Sequence, residues 1–168
     1  KKSCGIFHDF YVHDIDLAWW FLGGEIQTVW SIGGAYKYPA FGEAGDADSV
    51  ITTCQFDNGT MAVINACRTA MHGHDTYTEV VGTLGTLLIG RPAQLNRVEI
   101  YDQYGVRKEC VETFWDRFQE GFLTMAEDFI DCVLTGRKPE LTLADARQAT
   151  IAAEAFTTSF ETASLVRI

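Results

Sequence analysis

The chain has 168 residues, a length typical of one domain, and 47% of them are hydrophobic, which is enough to fill one core. The formal net charge of -10 argues against nucleic acid or anionic membrane as a partner, because either would require clusters of basic side chains. We recognise no signal peptide or spanning helix within these residues, and a leader upstream of Lys1 would lie outside them.

The cysteines indicate a reducing compartment. They are an odd number at wide spacing without a C-x-x-C pair, a pattern that favours buried thiols over a disulfide framework. These are Cys4, Cys54, Cys67, Cys110 and Cys132. We therefore expect a cytoplasmic protein.

The first element in the chain carries a carboxylate, an imidazole and a second carboxylate at positions i, i+4 and i+7, namely Asp9, His13 and Asp16. In a helix these three side chains share one face. Apolar residues at helical spacing predict such a helix with its core on another face. They are Val12, Ile15, Trp19 and Leu22.

Asp9, His13 and Asp16 form a polar stripe on this helix, and spacing alone leaves two interpretations of it. Aspartates near a helix start complement the helix dipole, and a histidine on an apolar helix is often a partly buried structural residue. In the catalytic interpretation, the His13 imidazole transfers a proton near pH 7 and Asp16 fixes its tautomer. Asp9 would then accept a hydrogen bond from a substrate hydroxyl.

Alternating polarity predicts an antiparallel sheet in the middle of the chain. Residues 25–38 are a long predicted strand with an irregularity at Gly33-Gly34, and residues 39–47 are a predicted loop. Residues 49–56 and 60–68 flank Asp57-Asn58-Gly59, a hairpin signal because Asn and Gly accept positive φ. Four further predicted strands cover residues 76–81, 85–89, 96–101 and 106–111.

The last third changes to helical periodicity. One helix is predicted over residues 114–134, with Gly136 as its C-terminal cap. A second begins at Thr142, with Asp145 in its first turn, and runs to about Ala163. Residues 165–168 can return as an edge strand. One N-terminal helix, a predominantly antiparallel open-faced sheet and two C-terminal helices make an α+β domain.

Two histidines with a neighbouring acid, His72, His74 and Asp75, raise the question of a metal site. A closed structural zinc site requires four ligands, and no partner cluster of Cys or His is visible in the sequence. We therefore predict no metal.

Several motifs in order along the chain resemble the C-terminal domain of the Gfo/Idh/MocA oxidoreductases, and of inositol 2-dehydrogenase-like members in particular. The first is the run Gly-Ile-Phe-His-Asp-x-x-x-His-Asp-Ile-Asp at residues 5–16. The strand, Asn-Gly turn and strand at residues 48–68 follow, and then E-V-x-G-x-x-G-x-L at residues 79–87. Residues 136–139 match the G-R-x-P linker of the family.

The resemblance implies roles for residues already singled out. Asp9 and His13 would bind a sugar or polyol and shuttle the hydroxyl proton, with Asp16 supporting His13. Arg68, His74 and less surely His72 would contact substrate. The open sheet face would pack against another subunit in a homodimer or homotetramer. Candidate contributors to that face are Thr28, Trp30, Tyr36 and Tyr77.

The chain departs from the family at the cofactor. The family's Rossmann domain holds NAD or NADP on a glycine-rich turn, and no G-x-G-x-x-G opens a helix here. The only Lys-Pro pair, Lys138-Pro139, lies between the last two helices rather than in the family's E-K-P motif. Residues 1–168 are therefore interpreted as the C-terminal substrate-binding and oligomerisation domain of a two-domain dehydrogenase, inactive without the rest.

Two other classes stay open. A non-catalytic binding or dimerisation module derived from the same fold would also lack a dinucleotide site. An unrelated α+β hydrolase could use His13 and the acids, but the sequence contains no nucleophile elbow and no metal-ligand set.

Overall fold

The computed structural model describes residues 4–90 and 94–168. A π-helical turn, Phe7–Tyr11, leads into the first α-helix. The helices are α1 (Val12–Leu22), α2 (Pro39–Glu43), α3 (Phe114–Arg117), α4 (Gln119–Thr135) and α5 (Leu143–Thr162). The strands are β1 (Ile26–Gly34), β2 (Ser49–Phe56), β3 (Met61–Cys67), β4 (Thr78–Gly82), β5 (Gly85–Ile89), β6 (Gln94–Asp102), β7 (Gly105–Cys110) and β8 (Val166–Arg167).

The chain forms two compact units, Lys1–Thr69 with Leu141–Ile168, and Ala70–Glu140. In the first unit, β3, β2, β1 and β8 lie side by side in that order, and each neighbouring pair is antiparallel. Side chains on β2 alternate strictly between buried and non-buried, so one sheet face is in the core. Helices α1 and α5 and the π turn cover that face, with Tyr11, Ile15 and Phe156 fully buried.

In the second unit, β4 pairs with β5 and β6 pairs with β7, and α3 and α4 follow. Gly136 ends α4 in the left-handed conformation with φ 72°, as the sequence predicted. In the first unit, Thr142 and Asp145 form the predicted reciprocal capping box of α5. The α+β class and the antiparallel strands are also confirmed.

Several local predictions were wrong. The long strand ends at Gly34 rather than residue 38, and its register shift lies between Ile26 and Thr28, not at Gly33-Gly34. The predicted loop at 39–47 contains α2, because Pro39 occupies the first helical turn, where its missing N–H costs nothing. The later strands form two separate two-stranded sheets instead of extending the first.

The cysteine prediction was correct only in part. Cys54 is buried, as expected, but Cys67 has the opposite orientation on its strand and is exposed, and Cys4 is exposed as well. All five thiols are free. Within the described ranges, no helix is both long and apolar enough to cross a bilayer.

Candidate active site

The chain enters the site through a strained turn. Cys4 and Gly5 have φ values of 62° and 88°, and the Ile6 amide donates to Asp46 Oδ1 at 3.0 Å. The π turn that follows buries Phe7 and Tyr11 and leaves Asp9 and Phe10 exposed. Single π turns are frequent at functional sites, because their extra residue redirects the neighbouring side chains.

Tyr11 ties this turn to the sheet. Its hydroxyl lies 2.9 Å from the carbonyl oxygens of both Val50 on β2 and Ile64 on β3. Its ring is fully buried and meets Phe7 and Phe156 edge-on. The buried Tyr11 side chain, two residues after Asp9, therefore anchors the turn to the core face of the sheet.

The structure places the three residues of the stripe on the π turn and the first part of α1. Asp9 and His13 are exposed, and Asp16 is half-buried. Between these three residues the structure contains no hydrogen bond. The neighbouring Asp14 is half-buried, and burial raises the pKa of its carboxyl, while the adjacent His13 partly opposes that rise.

Arg68, which follows β3, is brought directly to Asp9. Its Nη2 atom donates to Asp9 Oδ2 at 3.1 Å. The guanidinium also lies over two aromatic rings, at 4.7 Å from the Phe10 centroid and 5.1 Å from the Phe41 centroid. These contacts cover the charged group, so that the Arg68 side chain is only 16% exposed.

Asp48 organises the segments around Arg68. Its backbone carbonyl accepts the Arg68 amide at 2.8 Å, and its buried carboxylate accepts the amides of Lys37 and Tyr38. Burial alone would raise the pKa of the Asp48 carboxyl, but the backbone hydrogen bonds, first from Tyr38 and then from Lys37, outweigh it and lower the pKa to about 2. The Asp48 carboxyl group is therefore ionised at neutral pH.

The two histidines of the second unit have separate local partners. His72 Nε2 lies 3.0 Å from Asp75 Oδ2, and His74 Nε2 lies 3.1 Å from Thr76 Oγ1. Burial and the charge of Arg117 lower the pKa of His74, although Asp75 opposes that effect. A neutral His74 imidazole can both donate and accept a hydrogen bond at pH 7.

Two buried polar atoms near this loop have no hydrogen-bond partner in the structure, Asp75 Oδ1 and Arg117 Nε. No group of three or more His, Cys, Asp or Glu side chains within residues 4–90 and 94–168 is arranged to hold a metal ion.

The α5 N-terminus is occupied by its own capping box, and no glycine-rich turn leads from a strand into a helix in the described residues. These residues do not fit a dinucleotide pyrophosphate.

Sequence reasoning selected Arg68 but not the residues that hold it. Phe41 lay in a segment predicted to be a loop, and nothing in its spacing linked it to Arg68. Asp48 had a weak signal, because it is an acidic residue directly before a strand of alternating polarity. A carboxylate in such a position must be solvated or hydrogen-bonded.

Comparison with known proteins identifies the domain type. Residues 1–168 match the model of the oxidoreductase family's C-terminal alpha/beta domain, Gfo/Idh/MocA. The scyllo-inositol 2-dehydrogenase (NAD(+)) of Bacillus subtilis is 36% identical over 146 residues, which are 87% of this chain and 42% of that protein. The myo-inositol 2-dehydrogenase of Thermotoga maritima is 29% identical, over 100% of this chain and 50% of its own length.

Solved structures agree with these relatives. The scyllo-inositol dehydrogenase of Lactobacillus casei, solved with bound NAD(H) and scyllo-inositol, has a TM-score of 0.93 and 34% identity over 97% of this chain and 48% of its own. The myo-inositol 2-dehydrogenase of Lactobacillus plantarum has a TM-score of 0.96 and 31% identity over 100% of this chain and 50% of its own. The chain thus spans about half the length of these relatives. It belongs to the Gfo/Idh/MocA oxidoreductase family and has the fold of that family's C-terminal α/β domain.

Proposed function

We propose that this chain is the substrate-binding half of an NAD-dependent dehydrogenase that oxidises a ring hydroxyl of an inositol or a related polyol. The observation that carries the proposal is the arrangement of Asp9 and His13, an oriented carboxylate and an exposed imidazole one turn apart. The relatives named above, all inositol dehydrogenases, support the substrate class.

Each residue of the stripe has a separate role in this proposal. Asp9 accepts a hydrogen bond from the substrate hydroxyl and orients it. His13 takes the hydroxyl proton as general base, the role that histidine fills most often in enzymes. Asp16 lies three residues after His13 and stabilises the imidazolium by its charge, since residues three apart on a helix are neighbours.

The nicotinamide cofactor would accept the hydride. We propose that residues outside this chain hold most of it, because the described residues do not form a pyrophosphate site and the relatives are about twice as long. We propose NAD rather than NADP as this cofactor, because the Bacillus subtilis relative is named for NAD(+) and the Lactobacillus casei structure contains NAD(H). A cytoplasmic location, expected from the cysteine pattern, is part of the same proposal.

The family resemblance leaves two histidines as further candidates for substrate contact. We propose His74 as the primary one, since its neutral imidazole can exchange hydrogen bonds with a polyol in either direction. His72 is the second candidate; its Nε2 atom pairs with Asp75, as that of His74 does with Thr76.

The outer face of the four-stranded sheet is proposed as the subunit contact. Large apolar side chains are exposed there on three adjacent strands, and monomeric proteins rarely leave extended apolar surface uncovered. They are Trp30, Ile32, Ile51, Met61 and Val63. Trp30 was among the residues predicted for this face, and a homodimer or homotetramer would cover it.

Steady-state kinetics of the complete enzyme with myo- and scyllo-inositol test the proposed function. His13→Ala should lower kcat by roughly 10² to 10⁴-fold, as loss of a general base does. Asp9→Asn should mainly raise KM, and Asp16→Asn should have an intermediate effect. An enzyme whose kcat is insensitive to His13→Ala while its melting temperature falls would show that the stripe is structural.

The alternative, a non-catalytic binding or dimerisation module, is not favoured by relatives that are dehydrogenases. It predicts polyol binding without NAD reduction in the complete protein. Absorbance at the NADH wavelength, recorded with each inositol and with NAD or NADP, separates the two functions and also tests the cofactor preference.

A further inference from the structure

We infer that Arg68 is a positioning residue that orients Asp9, rather than a group that touches the substrate. This inference rests on the proposed function and changes the role expected for Arg68, which the sequence suggested as a direct substrate ligand. It follows from the contacts of the Arg68 guanidinium and from the Asp9 oxygen that these contacts leave without a hydrogen bond.

The guanidinium of Arg68 is held on several sides. Phe10 and Phe41 lie within 5.1 Å of it, and its Nη2 atom donates to Asp9 Oδ2. Its Nε atom is buried and has no hydrogen-bond partner in the structure. Rotation of the guanidinium toward a bound polyol would break the contacts with both rings and the ion pair with Asp9. A direct contact between Arg68 and substrate is therefore unfavourable.

The two carboxylate oxygens of Asp9 have different environments. Oδ2 is engaged by Arg68, whereas Oδ1 has no hydrogen bond to any described residue. The Asp9 side chain is 42% exposed, so without Arg68 its carboxylate could rotate freely in solvent. Fixing one oxygen points the other outward as an acceptor, which is what recognition of a hydroxyl requires.

Asp48 binds both the backbone of Arg68 and the segment that leads to Phe41. Its carbonyl receives the Arg68 amide, and its carboxylate receives the amides of Lys37 and Tyr38, which lead into the helix that carries Phe41. Arg68 and Phe41 are therefore anchored to the same buried residue. The Asp9 orientation consequently depends on backbone contacts made in the interior.

A double-mutant cycle in the complete dehydrogenase tests the inference, with Arg68→Met, Asp9→Asn and the double variant. Arg68→Met should raise KM for inositol by roughly 10- to 100-fold, by analogy with the loss seen when the hydrogen-bond partner of a metal ligand is removed, with a smaller change in kcat. Because Arg68 acts through Asp9, the double variant should have the KM of Asp9→Asn alone. Additive effects on KM would overturn the inference and indicate direct substrate contact.

Two further variants complete the test. Arg68→Lys keeps the charge but loses the planar group, so its KM should lie between those of wild type and Arg68→Met. Arg147→Met is the matched control, since Arg147 is exposed on α5, and it should leave both constants unchanged. If Arg68→Met does not fold, Phe41→Leu replaces it: a raised KM with little change in kcat is expected, and an unchanged KM overturns the inference.

Failure of this inference can be distinguished from failure of the proposed function. If His13→Ala abolishes turnover while the Arg68 variants have wild-type KM, only the role of Arg68 is wrong. If no inositol is oxidised, or His13→Ala is fully active, the proposed function itself is wrong, and the orienting role of Arg68 in catalysis falls with it.

Discussion

Replacement of Tyr11 by Phe should destabilise the first unit without disturbing its packing. The ring stays buried against Phe7 and Phe156, but the hydroxyl that bridges the carbonyls of Val50 and Ile64 is lost. One hydroxyl has one proton and donates to one carbonyl at a time, so the loss is about one buried hydrogen bond. We expect the free energy of unfolding to fall by about 1–2 kcal/mol at pH 7.

The dependence on alkaline pH provides a second, independent signature. Burial raises the pKa of the Tyr11 phenol in the folded protein above the value of about 10 expected in the unfolded chain. Above pH 10 the unfolded chain then binds fewer protons than the folded one, so stability falls with rising pH, by at most about 1.4 kcal/mol per pH unit from this group. Tyr11→Phe lacks this loss, and its deficit should shrink above pH 10.

Urea unfolding of wild type, Tyr11→Phe and the control Tyr36→Phe, at pH 7 and in steps to pH 11, measures both effects. Tyr36 is 78% exposed, so its replacement should change stability little. The reasoning is refuted if Tyr11→Phe is as stable as wild type at pH 7 with an unchanged m-value. It is also refuted if the stability difference between the two stays constant up to pH 11.

Three other changes have defined outcomes. Asp48→Asn should lower the melting temperature at pH 7, and it should abolish the part of the wild-type loss of stability that occurs as pH falls from about 4 toward 2, because the pKa of Asp48 is lowered. Gly24→Ala should cost at least about 1–2 kcal/mol in urea unfolding, because φ is 76° and the new Cβ would overlap Asp57 Oδ1. Val63→Glu on the outer sheet face should dissociate the homo-oligomer that we propose, as measured by light scattering.

Each of these predictions has a control or a contrary result. An Asp48→Asn variant with the wild-type acid transition would mean that another carboxyl group causes that loss. Gly45→Ala also has a positive φ but an open Cβ position, so it should cost less than Gly24→Ala. Leu143→Glu removes an exposed apolar side chain from a helix N-terminus and should leave the proposed homo-oligomer intact; equal dissociation would argue against the sheet contact.

The sequence by itself determined the elements whose signals are local. The Asn58-Gly59 turn, the Thr142 and Asp145 capping box and the Gly136 cap all depend on side chains and φ values within a few residues. The core face of α1 follows from periodicity, and Ile15 is fully buried as its spacing predicted. Family motifs added the expectation of a polyol dehydrogenase domain, and the comparisons confirmed the family.

Only the tertiary structure decided what surrounds the stripe. Arg68 and Asp9 are 59 residues apart in sequence, and Phe41 comes from a segment without a helical pattern, so no local rule could bring them together. The division of later strands into separate hairpins was equally unreadable, because strand alternation reports which face is buried and not which strand is the neighbour. Local chemistry specifies turns and caps, whereas the arrangement around Asp9 depends on long-range packing through Asp48.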